Sequence, residues 1–503
     1  MLKQDSARYS GFRAAGIRLR EELVPSLVSH RSDKIKDQLY TIHMFDKAHL
    51  VMLTEKGFIP LEDGRRLLAE LRRMDEEGSS DALRLEHGGG MHSGEQYLIR
   101  LLGEEVGGRM HLGRSSGDLG EVSTRIHARD GLLTVMEWVL RFRQTLIDIG
   151  QAHASTIMPG YTHAQHAQPT TYGHMILSWA SVLERDMARL LLCFTHMNRS
   201  PAGAAILTGS DFELDRHRVG ALLGFDGVEK NTFDAILCHD NLFETASTLA
   251  TLHMNLGRWC EDLMLYNTSE FGMIDFPDRF CGTSSIMMQK KNAYAPQYVK
   301  GAAAESVGGL MTAYLVEKDP TSIPILDRAY SREAIGRSLR NIARDIGWMN
   351  EFMPELDLKT ERMAERAGMF WAQAADLAGA LVREKGMNWR TAHQIVGILV
   401  RLCEDRDIAP LDTTPALLDE AAMLYHEQPI GLDETVLRDA LDPTLSVHRR
   451  TLYGGPAPSE VSERIGEYRA ILAADTERFA AARKPVEDGK RLLEDALDAI
   501  IGA

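Results

Sequence analysis

Apolar residues recur at helical spacing through long stretches of the chain that contain no proline. No proline lies between Pro60 and Pro159 or between Pro201 and Pro277, so neither interval carries the residue that most often ends a helix. In Gly131–Thr156 the apolar positions cover more than one narrow face. Such a pattern is typical of a helix that is packed on several sides.

The same spacing recurs in His174–Met197 and Asn241–Tyr266. Three helices of about 25 residues would each be roughly 35–40 Å long, whereas the usual globular helix has about 11–12 residues. The pattern therefore predicts an all-α protein built on a bundle of long helices, of a length that suits a bundle shared between subunits.

Turn-forming residues separate these helices and predict loops between them. They cluster in Glu86–Gly94, Met158–Thr171, Ser200–Asp211 and Phe276–Gln297. Loops between rigid elements are where functional groups usually sit. From about Arg366 onward the periodic segments are shorter and are interrupted by prolines, which predicts a separate small helical domain.

Composition and charge narrow the class of protein. The 503 residues carry a net charge of -15, which disfavours nucleic acid and anionic membranes as partners. The five cysteines are scattered without a CxxC pair, so neither a disulfide framework nor a zinc site is indicated, and we expect no metal and no cofactor. No apolar stretch reaches the about 20 residues of a membrane span, and the N-terminus lacks the apolar centre of a signal peptide. These features predict a cytoplasmic protein.

The segment Gly282–Asn292 is the most informative for chemistry. It reads GTSSIMMQKKN, a hydroxyl-rich turn followed by two cations and an amide. Flexible hydroxyls beside fixed donors suit a loop that closes over a substrate. The alternative is a Ser/Thr helix cap followed by a solvated lysine pair.

Two further segments combine short polar groups. Met158–Thr171 reads MPGYTHAQHAQPTT, a density of hydroxyls, amides and imidazoles that suits carboxylate binding; the alternative is an ordinary interhelical loop with solvent-facing histidines. His111–Asp118 reads HLGRSSGD, where the Arg114 guanidinium could bind a carboxylate with two parallel hydrogen bonds. The alternative there is a helix N-terminus capped by Ser115 or Ser116, with the aspartate in the first turn.

Together the three segments resemble the three signature regions of the fumarase/aspartase superfamily, and their residues are most similar to those of argininosuccinate lyase. GRSSGD is similar to that family's GRSRND, MPGYTHAQHAQPTTYGH to its MPGYTHLQRAQP-TFGH, and GTSSIMMQKKN to its GSSIMPQKKN. The resemblance runs from about Ile42 to Gly301 and continues more weakly to the C-terminus. It implies a three-domain fold, with residues 1–115, 116–365 and 366–503 as the domains, and a homotetramer that shares its central bundle and builds each active site from three subunits.

The resemblance also implies an activity. It is a carbon–nitrogen lyase that eliminates an amine from an N-substituted aspartate and releases fumarate, in a reversible anti elimination. Carried over by position, Ser284 is the base that removes the Cβ proton, and His163 is the candidate that holds the substrate or relays a proton to the leaving nitrogen. The substrate-binding residues implied are Arg114, Ser115, Ser116, Thr162, Gln165, Lys290 and Asn292. The partners implied are a small-molecule substrate and further copies of the chain.

Four positions in the three regions depart from the family's pattern. Met288 and Ala293 stand where prolines are usual, which should loosen the turn. Gln297 stands where the family has the glutamate that pairs with the second-region histidine, so we expect His163 to be less basic. Gly117 replaces the asparagine of GRSRND and removes one amide from the site.

Two further departures concern the part of the site that recognises the amine. Asp46 stands where the family has a hydroxyl, and after Lys318 the segment that holds the guanidinium end is replaced by DPTSIPILDR. The sequence therefore predicts a lyase for a different N-substituted aspartate, such as ethylenediamine disuccinate or iminodisuccinate. Sequence drift in a true argininosuccinate lyase is the alternative. A catalytically silent, crystallin-like helical protein and a cycloisomerase of the same superfamily are two others.

Overall fold

The computed structural model describes residues 24–76, 83, 90–318, 320, 322 and 326–502. Helices dominate this part of the chain, in the order α1 Pro25–Asp33, α2 Leu39–Glu55, α3 Leu61–Glu76, α4 Ser93–Leu102, α5 Glu104–Gly107, α6 Ser116–Ala152, α7 Tyr172–Met197, α8 Arg216–Leu222, α9 Thr232–Leu237, α10 Asp240–Tyr266, α11 Tyr294–Glu317, α12 Arg328–Phe352, α13 Thr360–Ala367, α14 Ala374–Lys385, α15 Trp389–Asp405, α16 Pro415–His426, α17 Glu434–Leu441, α18 Pro443–His448 and α19 Pro458–Gly502. Short strands are β1 Ile157–Thr162, β2 Gln165–Thr171, β3 Ile274–Asp275, β4 Cys281–Thr283, β5 Lys291–Ala293 and β6 Asp357–Leu358. No helix among the described residues is long and apolar enough to cross a membrane.

A bundle of long helices forms the centre of the molecule. Helices α6, α7, α10, α11 and α12 pack side by side around a continuous apolar core. Trp179 of α7 and Trp259 of α10 stack with ring centroids 5.0 Å apart. A second link is polar, because the buried imidazole of His253 bonds Ser306 at 2.7 Å and Asp345 at 2.8 Å. These contacts hold α10, α11 and α12 in register.

The bundle helices agree with the predicted helices at most of their ends. Two of the three begin and end within two residues of the predicted bounds, as α7 and α10. The predicted helix Gly131–Thr156 begins much earlier, at Ser116, and has 37 residues. Its first half carries the buried side chains of Glu121, Arg125 and Arg129. Because these charged residues are satisfied by tertiary contacts, the apolar spacing that predicts a helix is interrupted there.

Two of the predicted loops are β-hairpins. Residues 158–171 form most of the antiparallel pair β1–β2, in which Ile157 lies opposite Thr171 and Thr162 opposite Gln165. Residues 281–293 form the shorter pair β4–β5. The expectation of unpaired loops was therefore wrong. The strands were not predicted because these segments are rich in hydroxyl, amide and proline residues and lack the apolar alternation that marks a half-buried sheet.

The C-terminal part is divided between a core of its own and the cores of the bundle and of the N-terminal helices. Residues 371–441 enclose an apolar core of their own. The last helix, α19, is 45 residues long and packs along α6, α7 and α3. Only shorter segments were expected there, and the helix continues through Pro485 because its length is supported by packing on the bundle. The buried pair Arg143–Asp475, at 2.5 Å, ties it to α6. The domain boundaries at 115 and 365 stay a prediction.

Candidate active site

The first of the three predicted regions lies at the N-terminus of α6. Ser115 is the N-cap residue: its Oγ accepts a hydrogen bond from Gly117 N at 3.3 Å, and its own N–H donates to Asp118 Oδ1 at 2.9 Å. This capping box satisfies donors that a helix start leaves free. The helix-cap interpretation of the segment is thereby confirmed for Ser115. Burial raises the pKa of Asp118 to about 6, against the hydrogen bonds and the Arg114 charge that lower it.

Arg114 forms a buried ion pair with Asp46. Its Nη1 donates to Asp46 Oδ1 at 2.7 Å, and both side chains are 1% exposed. The Nε and Nη2 atoms of Arg114 are also buried and have no hydrogen-bond partner among the described residues. The acid at position 46, noted in the sequence as a departure from the family, therefore neutralises the guanidinium. This pairing was not predicted from the sequence, although a buried guanidinium needs a counter-charge.

Three histidines surround this ion pair. His49 Nε2 lies 2.9 Å from the carbonyl of Leu112, and its pKa is lowered to about 3 by burial and by the Arg114 charge. Burial, with the neighbouring positive charges, lowers the pKa of His92 to about 4. His111 contacts Glu95. The sequence analysis did not single out any of these side chains as a site residue.

A charged network lies one to two turns further along α6. His239 Nε2 is 3.3 Å from Glu121 Oε2, and its Nδ1 is 3.1 Å from Glu317 Oε2. Arg332 also binds Glu121. Burial lowers the pKa of His239, but the two carboxylates outweigh it and raise that pKa above its usual value. The network joins the helix of the first region to Glu317, which directly precedes the altered segment after residue 318. Residues 319, 321 and 323–325 of that segment lie outside the described residues.

The second region is the hairpin β1–β2. Thr162 and Gln165 pair on either side of its tip. The two tip residues, His163 and Ala164, have φ angles of 53° and 57°. A two-residue hairpin loop of this kind needs left-handed backbone, which costs about 1–3 kcal/mol at a non-glycine residue. All four side chains are exposed, so the strained turn presents the predicted second-region groups together at the surface.

A cavity of about 880 Å³ lies beside this hairpin, between β1 and helices α7, α10 and α19. Thr162 and His163 line it, as do the basic side chains of Arg185, Arg258 and Arg464. Arg464 pairs with Glu460 at 3.0 Å and also binds Glu463 and Glu467, while Arg185 donates to a backbone carbonyl of its own helix. Arg464 is therefore neutralised by its own helix, and Arg185 is a basic group beside the hairpin without a paired carboxylate among the described residues, as binding of a carboxylate requires.

The third region is the turn that joins β4 to β5. Ser284 Oγ accepts hydrogen bonds from Ile286 N at 3.3 Å and Met287 N at 3.0 Å. The apolar side chains at its tip are solvent-exposed, Ile286 by 79% and Met288 by 87%. Ser285, the second hydroxyl of the turn, is exposed as well. The Ser284 hydroxyl thus caps a turn between two strands, not a helix as in the alternative interpretation of the sequence, and the turn directs two backbone donors at the predicted base.

The two lysines of this turn differ in their surroundings. Lys290 is exposed, whereas Lys291 Nζ pairs with Asp275 at 3.0 Å and with Asp278 at 2.8 Å. The hydrogen bond to Asp278 is the main reason that the pKa of Lys291 is raised. Asn292 lies opposite Gly282 in the β4–β5 pair. Lys291 therefore holds the turn to its own chain and leaves Lys290 as the cation that faces outward.

Gln297 and Gly282 show how the turn meets α11. Gln297 Nε2 donates to the carbonyl of Ala293 at 2.7 Å, one turn back in its own helix. A Cβ atom on Gly282 would overlap the ring of Tyr294. The close approach of this ring requires glycine at position 282. The amide that replaces the family's glutamate is therefore used within α11.

Within one chain the three regions do not meet. Helix α6 has 37 residues and is about 55 Å long, and the Arg114 turn precedes it while the hairpin follows it. The rings of Tyr161 and Tyr266 lie 6.4 Å apart, so the hairpin lies where α10 ends and the third region begins. We call residues 114–121 with His239 the Arg114 end, and residues 157–171 with 281–293 the Ser284 end. The structure places the predicted site residues at opposite ends of the bundle.

The chain matches known families over most of its length. The family described as lyase matches residues 45–308, and that described as argininosuccinate lyase C-terminal matches residues 371–448. The argininosuccinate lyase of Methanosarcina acetivorans is 35% identical over 456 residues, which cover 90% of this chain and 91% of that protein. That of Methanococcoides burtonii is 36% identical, over 86% and 87%. Among solved structures, a variant of EDDS lyase with bound fumarate has a TM-score of 0.85 at 28% identity, covering 98% of this chain and 97% of that one.

The chain therefore belongs to the lyase family of the fumarase/aspartase superfamily. Within it, the protein is an argininosuccinate-lyase-like carbon–nitrogen lyase that releases fumarate. The family and reaction class predicted from the three motifs are confirmed. The roles of Ser284, His163 and the substrate-binding residues stay predictions, as do the tetramer and the cytoplasmic location.

Proposed function

We propose that the chain acts as a homotetramer in which each active site combines the Arg114 end of one subunit with hairpins from others. The single observation that carries this is the distance between the regions. Residues that must touch one substrate are separated by the about 55 Å length of α6. Antiparallel neighbours, related by two-fold axes, would bring their Ser284 ends to the Arg114 end of this chain. One neighbour would supply the β1–β2 hairpin and another the Ser284 turn.

The surface of α11 supports the same proposal. Large apolar side chains on this helix are exposed although it belongs to the central bundle; they are Tyr294, Tyr298, Val307, Met311, Tyr314 and Leu315. Its other face packs on α10 and α12. A helix that is apolar on all sides is normally buried, and a patch of this size usually marks an interface. A second copy of the bundle is the occupant that closed symmetry provides.

The geometry at Ser284 supports its proposed role as base. A serine hydroxyl is a poor base, and only its alkoxide can remove a Cβ proton readily. Two backbone N–H groups aimed at Oγ favour the charged form. Lys290 and Asn292 would bind the neighbouring carboxylate and stabilise the second negative charge that it gains when the proton leaves.

The remaining groups would hold the substrate and complete the elimination. Thr162, His163 and Gln165 are presented together by the hairpin tip, and His163 would pass a proton to the leaving nitrogen. Ser115 and Ser116 begin α6, whose N-terminus favours an anionic group. Water is excluded when the exposed Ser284 turn closes over the substrate.

The substrate follows from the two halves of the site. The groups that would bind the fumarate-forming half of the substrate are present. The part of the site that would recognise the amine differs from the family, because Asp46 pairs with Arg114 and the segment after Lys318 is altered. We infer an N-substituted aspartate, with argininosuccinate, ethylenediamine disuccinate and iminodisuccinate as the compounds to test. The names of the relatives, argininosuccinate lyase and EDDS lyase, support this class of substrate.

The substrate test measures the ultraviolet absorbance of fumarate with each compound. We expect release from at least one of them, and no release from any N-substituted aspartate would contradict the proposal. Ser284→Ala and Ser285→Ala are then compared with the active compound. Turnover should be lost in Ser284→Ala and largely kept in Ser285→Ala; the reverse result would transfer the role of base to Ser285.

The subunit arrangement is tested by mixing two inactive variants. Ser284→Ala and His163→Asn carry single changes at a partly exposed and an exposed position, so both should fold and assemble. Co-expressed subunits should recover activity, because some sites in hybrid tetramers would contain neither change. Hybrids whose mass shows a tetramer but which stay inactive would mean that one subunit supplies both residues.

A further inference from the structure

Three metal-ligating side chains meet beside the Arg114 turn. His92 precedes α4, Glu95 lies in its first turn, and His111 ends the short 3₁₀-helix Gly108–His111. His111 Nδ1 is 3.0 Å from Glu95 Oε2, and His92 Nδ1 is 3.7 Å from the same oxygen. One ligand atom from each of the three residues lies within 4.8 Å of the other two. Two separate elements thus converge on one point.

The two distances to Glu95 suit a four-coordinate ion. Zinc binds histidine nitrogen and carboxylate oxygen at about 2.0–2.2 Å, so neighbouring ligands in a tetrahedral site are about 3.3 Å apart. The separations of 3.0 and 3.7 Å lie on either side of that value. Two imidazoles and one carboxylate are also a ligand set used by divalent transition metals, with the remaining position taken by water.

The surroundings favour a cation at this point. Glu95 is a nearly buried carboxylate, with its side chain 7% exposed. The Nδ1 atom of His92 is buried and has no hydrogen-bond partner among the described residues. The positive charge of Arg114 is neutralised by Asp46 at 2.7 Å. The buried Glu95 carboxylate, bonded to His111, and the unpartnered Nδ1 of His92 therefore lie together where a ligand of positive charge could bind.

We propose that His92, Glu95 and His111 bind one divalent transition-metal ion, such as Zn²⁺ or Co²⁺, in each chain. The ion joins α4 to the 3₁₀-helix two residues before Gly113, and so braces the turn that carries Arg114. No spacing in the sequence indicated this site, because its third ligand comes 16 residues after the second and from another element. The competing explanation is a histidine–glutamate–histidine hydrogen-bond cluster without an ion.

The experiment uses the full chain after removal of metal with a chelator. Co²⁺ is titrated and followed by its visible absorption, and Zn²⁺ by calorimetry. We expect one ion per chain, together with a rise in unfolding temperature on binding. Glu95→Gln and His111→Asn should weaken binding at least about a hundredfold. Glu244→Gln is the matched control, because it removes a histidine–glutamate pair of 2.7 Å, with His196, at the surface, and it should bind like the unmodified chain.

Circular dichroism without metal identifies any variant that fails to fold, and His92→Asn then replaces it. Binding of less than one ion per chain, or equal affinity in the three ligand variants and the control, would overturn the proposal. A rise in unfolding temperature that persists in the ligand variants would do the same, because the ion would then be bound elsewhere.

Discussion

The two ends of the central bundle differ in how they are held. At the Arg114 end, Arg114, Glu121 and His239 are buried and paired within the chain. At the Ser284 end, His163 and most of the Ser284 turn are exposed. The backbone at the tip of the β1–β2 hairpin is also strained. The comparison indicates that a chain completes the Arg114 end by itself and leaves the Ser284 end exposed, as the proposed shared site requires. Changes at the first end should therefore cost stability, and changes at the second should cost activity.

The largest effect is expected at Lys290. Lys290→Met removes the cation proposed to stabilise the charge that develops on the substrate carboxylate, so fumarate release should fall by at least about a thousandfold. The free energy of unfolding should change by less than about 0.5 kcal/mol, because the side chain is exposed. Steady-state kinetics and urea unfolding measure the two quantities.

Lys291→Met is the control for this change, since it alters the next residue in the same turn. It breaks the surface pairs with Asp275 and Asp278, which should cost less than about 1 kcal/mol. Fumarate release should fall by less than about tenfold, because no role in charge stabilisation is assigned to Lys291. Equal losses of activity in the two variants would contradict the role assigned to Lys290.

Asp46→Ala should have the largest effect on stability. It leaves the Arg114 guanidinium buried without its counter-charge, which typically costs about 3–5 kcal/mol. Urea unfolding measures the loss. Glu355→Ala breaks the exposed pair with Arg279 and should cost less than about 1 kcal/mol. If the two variants were equally stable, the Arg114 end would not depend on its buried pair.

A smaller effect on the free energy of unfolding is expected from the pH, through His239 at the Arg114 end. The pKa of His239 is raised in the folded chain above its usual 6.5, so its stabilising contribution is complete below about pH 6.5 and is lost as the pH rises through the folded value. The free energy of unfolding should decrease as the pH rises above about 6.5. His239→Gln should remove this part of the dependence. An unchanged pH profile in that variant would show that other groups are responsible.

The smallest effect is expected at the hairpin tip. Ala164→Gly relieves the left-handed backbone, and after the entropic cost of glycine it should stabilise the chain by about 0.5–1 kcal/mol. Ala167→Gly in β2 should instead destabilise it by a similar amount. If Ala164→Gly also lowers activity, the strained turn positions His163; if stability falls, the turn is not strained.

The sequence predicted the reaction better than the site. The motifs GTSSIMMQKKN and MPGYTHAQ indicated the lyase family, and apolar spacing predicted the long helices α7 and α10, because both are properties of the chain itself. The sequence did not predict the hairpins, the start of α6 or the length of α19. Those depend on buried charges such as Arg129 and on packing across Pro485, which local patterns do not contain.

The sequence by itself determined the helical class, the three polar regions and the chemistry that their residues can perform. Only the tertiary structure decided where these regions lie. It paired Arg114 with Asp46, brought His92 and His111 together at Glu95, and separated Ser284 from Arg114 by the length of α6. The physical reason is that a residue's chemistry is local, whereas its partners are chosen by the packing of helices that are distant in sequence.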